Sequence, residues 1–355
     1  MNLKNKLRLL ITGLILAALA ILLWPHQALP TVSSPPSITK ADKSRPSVRS
    51  SMTKVPLRES RRAKDFQTFV KLAAKSELPE LSRQEIDDYL AAQRRTAGSL
   101  LAAYQLSKDE AYLKEALEKF PNSPQVLLCA LQLAKDPAQR LEALEAFKRA
   151  DPGNGLGNCL AARALFDLGR NDEAFAELLQ SRGKPIQAFT MNTFQDNEEA
   201  YLTAGFSPTE AKIASAYTCY ATSPELIQLG KFNKNIDALR AGYATAGDAA
   251  ALQSVRDIQL EIASQLQEDP SLLGNVIGFA NEKNALKGMD DPESIARMEE
   301  IERQRKSLVA DAMKVSTMIQ NSPVPDDEWR LYFDRVKLFG EKAANEWILG
   351  KYGLQ

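Results

Sequence analysis

From Leu9 to Trp24 the chain runs sixteen residues (LLITGLILAALAILLW) without a charge, and Lys4, Lys6 and Arg8 precede the run. A basic lead followed by an apolar core is the pattern of an export signal. Sixteen residues of helix span about 24 Å, short of the ~30 Å hydrocarbon core, so length alone fits a cleaved signal as well as an anchor. A cleavage site needs small residues just past the apolar run, but Pro25, His26, Gln27, Ala28, Leu29 and Pro30 follow it. The pattern therefore predicts a transmembrane signal anchor at 9–24. Residues 1–8 are then a cytoplasmic n-region, because the cations cluster on that side, and the bulk is exported as a single-pass protein. A cleaved and secreted chain is the alternative.

From residue 65 to the end the apolar positions recur at spacings of three and four, the period of an amphipathic helix. Ser82 with Glu85 reads as a capping box opening a helix whose stripe is Ile86, Tyr89 and Leu90 and then Leu100, Leu101 and Tyr104. A second helix runs from Ala111 to Phe120. Ser207-Pro208-Thr209-Glu210 starts another, through Tyr220, and Asp291-Pro292-Glu293 opens a long one reaching Ile319. The last helix carries Trp329, Tyr332, Phe333, Val336, Phe339, Ala343, Trp347 and Ile348. No Asn-Gly or Asp-Gly turn separates alternating apolar runs beyond Leu78, so the expected class is all-α.

The middle of the chain repeats. Pro121, Pro152 and Pro185 stand 31 and 33 residues apart, each closing a pair of short helices. Counted from Pro124, Ala143, Phe147 and Ala150 fall on the twentieth, twenty-fourth and twenty-seventh places; counted from Gly155, Ala162, Gly169 and Ala174 fall on the eighth, fifteenth and twentieth. At these residues the chain resembles the tetratricopeptide repeat, most clearly over 106–185. A weaker match at Leu239, Tyr243 and Gly247 covers 230–267. No tryptophan holds the fourth place, and the residues between Pro185 and Gly230 match nothing in the pattern. The resemblance implies an irregular TPR-like α-solenoid of stacked helix pairs, closed by a C-terminal capping helix.

Composition refines this organisation. Residues 25–64 are rich in Ser and Pro (SSPPS, SRPSVRSS) and poor in large apolar residues, which predicts a disordered basic linker. Twelve of the 45 basic residues but only two of the 45 acids lie before position 65, so the formal charge of zero conceals an acidic helical domain. An acidic domain lacks the clustered Lys/Arg that phosphate neutralisation requires, which excludes a nucleic-acid partner there.

Candidate chemistry is sparse. His26 is the single histidine and lies outside the helical domain, which removes Ser-His and Cys-His catalysis and histidine metal sites. Glu198-Glu199, Asp290-Asp291 and Asp326-Asp327-Glu328 read as acids at helix starts. Gly153-Asn154-Gly155-Leu156-Gly157 lacks the Lys-Ser/Thr of a phosphate loop and reads as an inter-repeat loop. Cys129, Cys159 and Cys219 read as buried thiols, with a Cys129 to Cys159 disulfide as the alternative. No catalytic, metal or cofactor-binding residues are assigned.

The expected function is accordingly non-enzymatic: a membrane-anchored scaffold that binds a protein or peptide, as membrane-anchored tetratricopeptide-like proteins do in envelope assembly or chaperoning. The C-terminal aromatic helix reads by default as the cap of the array; the alternative is a docking surface, with Trp329, Tyr332, Phe333 and Trp347 as the candidate partner-binding residues. The rival functions are a helical enzyme using carboxylates on a cell-envelope polymer, and a self-associating envelope component.

Overall fold

The computed structural model describes residue 69 and residues 78–353, except 222, 322 and 323. The expected n-region, anchor and linker lie outside the described residues. Among those that are described no strand forms, and no helix is long and apolar enough to cross a membrane.

The described part of the chain is all-helical. In order come α1 (Arg83–Ala92), α2 (Ala97–Ser107), α3 (Glu110–Lys119), α4 (Pro124–Ala130), α5 (Pro137–Ala150), α6 (Gly155–Asp167), α7 (Asn171–Ser181) and α8 (Thr190–Thr203). Then follow α9 (Pro208–Ala221), α10 (Pro224–Lys231), α11 (Asn233–Ala246), α12 (Ala249–Gln267), α13 (Leu272–Leu286), α14 (Pro292–Asn321) and α15 (Asp326–Lys351).

Local chemistry explains most of these boundaries. The capping box at Ser82 opens α1: Glu85 N–H donates to Ser82 Oγ at 3.3 Å, and Ser82 N–H donates to Glu85 Oε2 at 2.8 Å. The stripe expected to continue to Tyr104 belongs to two helices instead. Arg94 and Arg95 take φ values of 54° and 49°, which a helix cannot accommodate, and Thr96 then caps α2. The glycine run at 153–157 also divides differently from expectation. Asn154 caps α6, so Gly155 and Gly157 lie within its first turn. A Cβ on Gly157 would sit 3.0 Å from the Phe147 ring, so glycine there lets α6 approach α5 closely.

Helices α1 to α7 pack each against the next. After them the chain turns back. Helix α8 lies on α1 and α2, and Tyr89 OH donates to the Asp196 carbonyl at 3.0 Å. Helix α9 packs on α8 and α15, while α10 touches α6, α11 and α13. The α12–α13 hairpin continues through α14 to α15. A stack whose units touch only their sequence neighbours would not place residue 89 against residue 196.

Two large cores result. One joins α1–α3 to α8, α9 and α15 around Leu90, Leu100, Phe194 and Trp329. Phe69 belongs to it, edge-on to Phe206 at 6.3 Å. The other joins α5–α7 to α10–α13 around Leu144, Phe147, Leu156 and Ile277. Helix α4 serves both, giving Val126 and Cys129 to the first and Leu127 and Leu128 to the second.

The closest helix pair depends on glycine. A Cβ on Gly278 of α13 would stand 2.7 Å from Gln267 N and 2.8 Å from Ala263 O, both backbone atoms of α12. Gly278→Ala is expected to cost about 1–3 kcal/mol by forcing the two backbones apart. A shift in the urea midpoint with an unchanged slope checks this.

Candidate functional site

The last helix borders a broad cleft. It is interrupted at Gly340, whose φ of 82° and ψ of 166° are open to glycine alone. The interruption swings the residues after it onto the start of α13. Glu341 N–H donates to the Pro270 carbonyl at 2.8 Å, and Leu272 N–H donates to Glu341 Oε2 at 2.5 Å. A carboxylate thus meets the positive end of α13, where it satisfies an amide that the helix itself cannot. Asp269 completes the corner by accepting from Ser271 N–H at 2.8 Å.

Between this second half of α15 and the helices α12, α13 and α14 lies a cleft of about 590 Å³. That volume is in the range of ordinary ligand pockets. Phe279 and Leu308 form apolar wall, and Gln267, Asn275, Gln304, Ser307 and Asn345 line it with amides and hydroxyls. Acids Glu268, Asp311 and Glu346 and the cation Lys342 complete the rim. Several lining groups are held from behind. Tyr332 OH donates to Asn345 Oδ1 at 2.7 Å, Asn275 Nδ2 donates to Gln267 O at 2.8 Å, and Gln267 Nε2 donates to Glu282 Oε2 at 2.6 Å. Burial, with the charge of Glu341 nearby, holds the Tyr332 phenol well above its ordinary pKa, so it acts as a donor.

The candidate partner-binding residues are not on this surface. Trp329, Tyr332 and Phe333 are buried, with Tyr332 stacked edge-on between the other two at centroid distances of 5.7 and 5.0 Å. Their faces are spent in the first core, so they hold α15 in place and cannot dock a partner as they stand. Trp347 is half-buried beneath the Arg335 guanidinium, 4.6 Å from the ring centroid. The aromatic expected in that stripe but found outside it is Phe339, 64% exposed next to Leu338 at 73%. The break at Gly340 explains the error, since a helical stripe cannot be carried across it.

The acid pairs also sort differently. Asp291 accepts from Ser294 N–H at the start of α14, and Asp326, Asp327 and Glu328 occupy the first turn of α15, as expected of helix-start acids. Glu198 and Glu199 instead lie well inside α8. Glu198 is buried, with Lys212 of α9 at 2.8 Å and Lys337 of α15 at 2.9 Å; Lys212 also reaches Asp334 at 2.6 Å. This four-charge network fastens α15 to the α8–α9 hairpin. In the sequence its only trace is a lysine on the apolar face of α9.

Nucleophilic chemistry is disfavoured at the cysteines. All three are free and buried, and burial pushes the thiols of Cys129 and Cys159 up to about 12 and that of Cys219 higher. Among the described residues no three His, Cys, Asp or Glu side chains converge as metal ligands.

No family model, curated protein or solved structure matches this chain.

Removing one member of the charge network leaves the others stranded. Lys212→Met is expected to cost about 3–5 kcal/mol, because Glu198 keeps a buried charge with one partner lost. Combining it with Glu198→Gln should recover much of that loss, measured as the coupling energy of the double-mutant cycle.

Proposed function

We propose that this chain is a membrane-anchored helical scaffold that holds a protein or peptide partner at the outer side of the membrane, in envelope assembly or a chaperone-like role. The observation that carries the reading is the 590 Å³ cleft between α12, α13, α14 and α15, lined with amides, hydroxyls and mixed charge beside apolar wall. Amide and hydroxyl side chains match the donors and acceptors of an extended backbone, and the apolar wall takes a side chain. The buried, protonated cysteines offer no nucleophile in competition with binding.

Within this reading α4–α7 form the tetratricopeptide-like portion of the array. Support comes from Phe147, Ala162 and Ala174, all fully buried, and from Gly169, whose φ of +72° suits the reversal between α6 and α7. Helix α8 packs back on α1 and α2 instead of extending the stack, so the proposed array is shorter than an open solenoid. Anchoring at 9–24 and the basic linker at 25–64 keep the scaffold close to the bilayer.

A photo-crosslinking amino acid at Phe279, in the full-length protein in its own membranes, should capture one recurrent protein partner. Ser307→Arg, which fills the exposed edge of the cleft, should reduce that capture at least tenfold with helix content unchanged. Repeated capture of nothing by the wild-type cleft would sink the scaffold reading.

A further inference from the structure

Buried carboxylates in this protein have partners. Glu198 has two lysines, Glu177 lies 2.6 Å from Lys148, Glu282 lies 2.6 Å from Arg297, and Glu341 accepts from the Leu272 amide. That is the ordinary rule, since removing a charge from water without compensation is costly. Among the described residues two acids break it, the buried Glu225 and the half-buried Asp196, and both line one recess.

The recess is a partly open space of about 40 Å³ between α2, α4, α8 and α10, bordered by Asp196 and Glu225. Glu225 is 8% exposed, and no side chain or backbone group of another residue donates to it or pairs with it among the described residues. It also borders an adjoining space of about 80 Å³, where Arg140 and Arg163 stand without forming an ion pair to it. Arg163 is engaged elsewhere, donating to Asp167 and Asn235. The Asp196 carboxyl likewise has no cation; it packs against the backbone at Gly98, where a Cβ would meet its oxygens at 2.6 Å. Burial lifts the pKa of Asp196 to about 6, helped by Glu199, and that of Glu225 to about 7. Both groups therefore stand to gain from a counter-charge.

The rest of the lining says which kind of cation fits. Leu101, Ala102 and Leu128 form an apolar wall, while the amides of Gln125 and Asn192 have no partner of their own and offer carbonyl oxygens. A hydrated inorganic ion would waste the apolar wall. An alkylammonium uses both halves, its methylenes on the leucines and its three N–H donors on carboxylates and amide oxygens. A volume of 40 Å³ holds roughly three water-sized groups, enough for the ammonium and the methylenes next to it.

We propose that this recess is a binding site for a primary alkylammonium group, with Glu225 as its principal counter-charge and Asp196 as the second. The group comes either from a lysine side chain of a bound chain or from a free amine; the recognition chemistry is the same. The site is separate from the cleft at α15, so its failure leaves the scaffold reading standing.

The test uses full-length protein in detergent micelles and ligand-observed NMR titration with four probes. These are n-butylammonium, the peptide acetyl-Gly-Lys-Gly-amide, its Nε-acetyl-lysine counterpart, and n-butanol. Both amines are expected to bind, the acetylated peptide and the alcohol at least tenfold more weakly, and Glu225→Gln should weaken the amines at least tenfold. A peptide that binds tenfold tighter than butylammonium assigns the site to a lysine side chain; equal binding assigns it to free amines. Glu225→Gln replaces a desolvated acid with a neutral group of the same shape, so its melting temperature should equal or exceed that of the wild type. Wild-type protein that binds the acetylated peptide or butanol as well as the amines overturns the proposal, whatever the variant does. So does a folded Glu225→Gln protein with unchanged affinity for the amines.

Discussion

The carboxylate of Glu341, set against the first amide of α13, joins the end of the chain to its middle, and it reaches that position only because α15 breaks at Gly340. Much else follows from that contact. The half of α15 before the break is free to follow the first core, burying Trp329, Tyr332 and Phe333, while the half after it turns to wall the cleft against α12, α13 and α14. An unbroken helix would satisfy one of these surfaces and abandon the other. The exposed Leu338 and Phe339 mark the point where neither surface is served.

Buried charge does the complementary work of fixing partners that apolar packing leaves ambiguous. Leucine and alanine faces can slide past one another at little cost, whereas a lysine shared by Glu198 and Asp334 fits one arrangement of α8, α9 and α15. Glu225, buried without such a partner, and the half-buried Asp196 are the exceptions. They line one recess between the two cores, whereas the paired acids fasten helices together.

Much of the helical architecture was legible along the chain because its signals are local. The capping box at Ser82, the prolines that open α9 and α14 and the three-and-four spacing of the apolar residues each depend on atoms within one or two turns. The break between α1 and α2 escaped because two consecutive arginines at positive φ leave no residue signature. The cleft was illegible for a different reason. Its lining comes from four helices between Ser264 and Glu346, and polar residues scattered at such distances look like ordinary solvated faces until the chain is folded. The aromatic cluster at the C-terminus was ambiguous between a cap and a docking surface, since a buried stripe and a docking stripe have the same spacing.

By itself the sequence determined the helical class, several helix starts, the acidic character of the domain and the scarcity of catalytic groups, because periodicity, capping and composition are properties of neighbouring residues. Tertiary structure alone decided that α8 folds back on α1 and α2, that Trp329 faces inward, and that Glu198 finds lysines while Glu225 does not. These outcomes turn on which faces meet between helices, from 14 residues apart for Glu198 and Lys212 to 139 for Glu198 and Lys337, and a helical stripe carries no record of its partner.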